Sequence, residues 1–99
     1  MSSAEIKSTD EFVNRLKSAI YMISVLAYLL NGEDREDAII IRKMMKELYN
    51  KISKNSITTI EFNDLYGAIL LGLSILYSEI KEELKRDQVL RIQETLAVN

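Results

Sequence analysis

Apolar residues recur along this chain at steps of three and four, and the steps fall into blocks separated by polar stretches. Phe12, Leu16, Ile20, Ile23, Ala27 and Leu30 form the first stripe. Ala38, Ile41, Met45, Leu48 and Ile52 form the second. Leu65, Ile69, Leu73, Leu76, Ile80 and Leu84 form the third, and Val89, Ile92 and Leu96 resume it after a step of five. This is the period of an amphipathic α-helix, not of a strand. Ala38 to Ile41 has strand propensity by itself, but its place in the second stripe favours helix.

The ends of the blocks carry helix punctuation. Ser8-Thr9-Asp10-Glu11 fits a capping box with Ser8 as N-cap, and Asn31-Gly32 is a stop in which Gly32 can turn left-handed. Asp34 is the expected N-cap of the second helix. Glu36 and Asp37 lie in its first turn, and Lys46, Lys51 and Lys54 lie toward its other end, a gradient that suits the helix dipole. Thr58-Thr59-Ile60-Glu61 is a second capping box, with Ile57 placed to staple onto Phe62. The expectation is an all-α single domain over residues 1–99, with a flexible stretch at 1–7. Its three helices span about 9–30, 35–53 and 59–96.

The third helix would then be about 55 Å long, against about 30 Å for the others at 1.5 Å per residue. Either it projects, or it breaks where the stripe shifts, expected near 86–88. Gly67 and Gly72 weaken a helix by about 1 kcal/mol each without stopping it.

The apolar surface exceeds what one face per helix requires. The first helix carries a second stripe, Tyr21, Val25, Tyr28 and Leu29. In the third, Leu70, Leu71, Ile75 and Tyr77 cover much of the circumference, and the small residues Ala68 and Gly72 allow close helix approach. Surplus apolar surface is stabilised by burial against another copy. The reading is therefore an intertwined homodimer, with Tyr21, Val25, Tyr28, Leu29, Ala68, Leu71, Gly72, Ile75 and Tyr77 at the interface. The alternative is a fourth helix from residues 88–97 that covers part of the surplus.

Composition narrows the chemistry. The chain has 99 residues and no Cys, His, Trp or Pro, which leaves no thiolate nucleophile, disulfide, imidazole base or Cys/His metal site. Neither cofactor nor metal is expected. Thirteen basic residues against 15 acidic ones give a net charge of −2, too balanced to announce a polyanion binder. Glu79, Glu82 and Glu83 could serve acid–base chemistry, but interleaved with Lys81, Lys85 and Arg86 they read as a solvated face, with Glu82–Arg86 a favourable i,i+4 pair. A carboxylate di-metal bundle would want Glu-x-x-His repeats, and there is no His. The first helix offers only Arg15 and Lys17 near its start, too few for a dicarboxylate pocket of the chorismate-mutase kind.

Arg42, Lys43, Lys46, Lys51 and Lys54 outnumber Glu47 locally and could meet phosphate. No helix-turn-helix signature, RNP-like sequence or aromatic interleaving accompanies them, so an exposed face with dipole compensation explains them without a ligand, and nucleic acid is not the expected partner. Arg42, Lys43, Lys46 and Lys54 are the candidate phosphate contacts of a rival, nucleic-acid-binding dimer. A second rival is membrane association. Its candidate runs, Ser18–Leu30 and Ala68–Tyr77, are shorter than the roughly 20 residues a bilayer span needs. No signal peptide or lipidation signal is read at the N-terminus, so a cytoplasmic location is expected.

Ile and Leu are equally abundant, Gln occurs only at 88 and 93, and Glu and Lys dominate the charges. With the absent Cys and short length, this composition resembles the small orphan proteins of filamentous and rod-shaped viruses of hyperthermophilic archaea. The resemblance is one of style and carries no motif. It implies a thermostable protein of the host cytoplasm or the virion that works by binding. The function expected is non-enzymatic protein–protein interaction, as adaptor, inhibitor or assembly component.

Overall fold

A computed structural model describes residues 3–97, with side chains described from Asp10 onward. It contains four α-helices: α1 Ser3–Leu29, α2 Gly32–Ser53, α3 Thr59–Glu79 and α4 Glu83–Leu96. Among the described residues each helix packs on two others, α1 and α3 both on α2 and α4. The four therefore form an antiparallel ring in which α1 and α3 stand diagonally opposite.

The expected long third helix is two helices. Its chain turns at 80–82, ahead of the break expected near 86–88. Ile80 leaves helical geometry with φ −73° and ψ 128°, and Glu82 caps α4 in extended conformation. No Gly or Pro marks the site. Tertiary burial decides it: folding α4 back buries Val89, Ile92 and Leu96 against the bundle. Leu84, assigned to the third stripe, starts the new helix and points to solvent at 80% exposure. The fourth helix considered for 88–97 thus exists, with an earlier start.

Two helix starts also differ from expectation. α1 begins at Ser3, so Ser8 lies inside the helix and is not its N-cap. α2 is preceded by Asn31 as N-cap, with Gly32 at φ +59°, and Asp34 sits in the first turn. A tertiary contact satisfies the end of α1 there. Arg35 Nε donates to the carbonyl of Ala27 at 2.9 Å and its Nη2 to that of Tyr28 at 3.0 Å. The box at α3 forms as read: Glu61 N–H donates to Thr58 Oγ1 at 3.1 Å, and Thr58 N–H donates to Glu61 Oε1 at 3.2 Å.

The core follows the stripes. Leu16, Ile23, Ala27 and Leu30 of the first are buried, as are Ala38, Ile41, Met45 and Leu48 of the second. Ile69, Leu73, Leu76 and Ile80 of the third join them, and no described polar or charged side chain is buried. Phe12, Phe62 and Tyr66 close one end of the bundle, with ring centroids 5.5 to 5.9 Å apart. Such aromatic pairs add roughly 0.5–1.5 kcal/mol beyond their area.

Candidate interaction faces

The second stripe of α1 stays outside the bundle. Tyr21 is 73% exposed and Tyr28 80%, with Val25 and Leu29 about half exposed. These residues do not form a flat wall. Tyr21, Val25 and Leu29 face Leu84, Lys85 and Gln88 of α4 across an open groove of about 460 Å³. Met22 and Leu26 floor it. The groove exists because the turn at 80–82 carries α4 back alongside α1, which no single-helix pattern could announce.

The α3 residues of the expected interface lie elsewhere. Leu71 is 63% exposed, and Ala68 and Ile75 are exposed beside it. Because α3 stands diagonally from α1, this second apolar face looks away from the first. Gly72 turns toward α2, where a Cβ would meet Ile41 Cγ1 at 3.0 Å. Tyr77 is half-buried, with the Arg86 guanidinium 4.5 Å over its ring. That stacking takes Arg86 away from the expected pairing with Glu82, which instead bridges Lys85 at 3.1 Å. Thus Tyr21, Val25, Tyr28 and Leu29 come together, Ala68, Leu71 and Ile75 come together elsewhere, and Gly72 and Tyr77 pack within the chain. Leu84 was missed as a partner of the α1 stripe. Its only signal was the five-residue step that follows it.

α3 is also the one described helix long and apolar enough to cross a bilayer by length and composition. Only 17% of that stretch is buried within the chain, whereas core helices of soluble proteins that meet the same test are mostly buried.

The basic residues separate as well. Lys43, Lys46 and Lys54 line one open trough with Asn50, Lys51 and Ser56, about 410 Å³ in volume. Arg42 is half-buried and outside that lining, its Nε shielded and without a hydrogen-bond partner. Lys51 is tied to Glu61 at 2.8 Å, which raises the lysine pKa. The same contact, with the Thr58 hydrogen bonds, lowers that of Glu61.

No family model, no curated protein and no solved structure matches this chain. The faces themselves are therefore the basis for any reading of function.

Among the described residues one pair of carboxylates comes together. Glu79 neighbours Asp37, and side-chain hydrogen bonding to Asp37, then partial desolvation and the charges of Asp37, Asp34 and Glu33, raise the Glu79 pKa. Glu82 and Glu83 sit at the cap and first turn of α4, where negative charge suits the helix dipole. Among the described residues no three acidic side chains gather as a metal site.

Proposed function

We propose that the protein is a non-enzymatic interaction protein that works as a helical homodimer, an adaptor, inhibitor or assembly component. One observation carries the reading: the groove edged by Tyr21, Val25, Leu29 and Leu84 is apolar, concave and open, while the core beneath it is complete without those side chains. Burial at roughly 25 cal/mol per Å² rewards covering it. Tyr21 at its rim is suited to an interface, being large, stiff and tolerant of water at one end.

A second copy is a fitting occupant because α1 offers both a ridge and half of a groove, as a two-fold contact needs. A lateral face of a body 45 by 19 Å is of the order of the 800 Å² per partner typical of stable association. The compositional likeness to archaeal viral proteins agrees with a binding role in a host cytoplasm or a virion.

The test uses Val25→Glu and Leu84→Glu, on opposite walls of the groove. Both side chains are exposed, so the monomer fold should tolerate the charge. Each variant should run at the monomer mass under conditions where the parent does not. Unchanged mass for both variants would remove this face from the interface.

A further inference from the structure

We propose that the basic face of α2, with Lys17 of α1 beside it, binds single-stranded nucleic acid through its phosphate backbone. The proposal goes beyond the self-association reading and does not depend on it. Two adjoining hollows mark it. One, on α2 and the residues after it, is lined by Lys43, Lys46, Glu47, Asn50, Lys51, Lys54 and Ser56; the other, between α1 and α2, by Lys17, Ile20, Lys46, Tyr49 and Asn50. Lys46 and Asn50, one turn apart on α2, border both.

Its charge is stronger than the net value of −2 suggests. Among the described residues Lys17, Lys43, Lys46 and Lys54 form no salt bridge, and Glu47 is the one acidic side chain in the lining. At physiological salt, screening over about 8 Å makes this local balance, not the distant acids, the field a ligand meets. Compensation of the α2 dipole accounts for Lys51 and Lys54 in and beyond the last turn. The effect fades within one turn, so it does not account for Lys43, Lys46 or, on another helix, Lys17.

Lys43 to Lys54 extends about 16 Å along α2, enough to follow several successive phosphates. The lysines are point charges, without the planar forks that favour a single fixed carboxylate. The floor is aromatic: Lys17 Nζ lies 5.7 Å from the centroid of the half-buried Tyr49. A basic track beside an aromatic ring is the kind of arrangement that holds a single strand, with its backbone on the cations. Tyr49 lies between Lys46 and Lys51 on α2, and packing adds Lys17 from α1.

The experiment is a polarisation titration of fluorescein-labelled oligothymidylate, 20 nucleotides long, with the full chain from low to physiological salt. Binding should appear at low salt and weaken with a slope of log K against log salt near −3, as about four single-strand phosphate contacts give. Lys43→Glu/Lys46→Glu, at two exposed positions, should weaken binding at least tenfold and flatten that slope, with circular dichroism unchanged. The Val25→Glu variant should bind the strand as the parent does. No binding at low salt, or equal binding by the double lysine variant, would overturn the proposal. So would binding to phosphatidylserine vesicles or polyglutamate without binding to the strand.

Discussion

The phenolic hydroxyl of Tyr66 donates to the backbone carbonyl of Leu96 at 2.6 Å. The bond joins the second turn of α3 to the last turn of α4 and fixes how far α4 folds back. Arg15 Nη1 adds a contact from α1 to the carbonyl of Ala97 at 3.1 Å. Leu96 itself is buried. Tyr66→Phe keeps the ring in its aromatic cluster and removes only the hydroxyl, so it should cost about 1 kcal/mol. Chemical denaturation measures the loss, and faster exchange confined to amides of the last turn of α4 would locate it.

Arg35 donates to two of the last carbonyls of α1, those of Ala27 and Tyr28. Helix ends leave carbonyls unsatisfied, and charged donors to such groups contribute roughly 1.5–3 kcal/mol each before the exposure of this site reduces them. Arg35→Met should destabilise by about 1–2 kcal/mol on the same principle. Arg35→Lys should recover only part, because one ammonium cannot reproduce a fork on two successive carbonyls. Full recovery by lysine in thermal unfolding would contradict this geometry.

The two interior glycines of α3 should respond unequally. A Cβ on Gly67 meets nothing within 4 Å, so Gly67→Ala should stabilise by about 0.5–1 kcal/mol through helix propensity. At Gly72 the new methyl lies 3.0 Å from Ile41 Cγ1 and 3.3 Å from its Cδ1, and Ile41 is buried. Gly72→Ala should gain less than Gly67→Ala. Gly72→Val should lose about 1–3 kcal/mol from overpacking. Urea denaturation of the three variants provides the ranking.

Glu79 and Glu61 give opposite dependences on pH. The raised pKa of Glu79 means no penalty below its ordinary value of 4.5, where folded and unfolded chains both hold the proton. The penalty enters as pH rises through the raised value. Glu79→Gln should therefore melt higher than the parent at neutral pH, and the difference should close in acid. The lowered pKa of Glu61 adds stability above 4.5, lost as pH falls through the folded value. Glu61→Gln should melt lower than the parent at neutral pH, with that difference closing at more acid pH. Parallel melting curves for both variants across pH 3 to 8 would contradict the two assignments.

Helix identity and most of the core could be read from spacing alone, since Leu16, Met45, Leu73 and Ile92 bury where their stripes put them. The Thr58–Glu61 box was legible because its partners are local. The turn at 80–82 was not. Ile80, Lys81 and Glu82 are all acceptable in a helix, and the gain comes from residues nine to sixteen positions further on. The stripe shift after Leu84 recorded the break four residues late, because a helix restarted at Glu83 presents Leu84 outward. The apolar faces were visible as an excess, but not as two separate faces. Placing α1 diagonally from α3 is a property of the ring, and the α1–α4 groove follows from the same folding back.

Self-association would cover the surplus apolar surface with a second copy. Absolute mass by light scattering after size exclusion, in detergent-free buffer over a range of concentrations, measures it. The expected mass is near twice 11.4 kDa, falling toward the single-chain value with Val25→Glu. A parent that stays at 11.4 kDa at every concentration would contradict it.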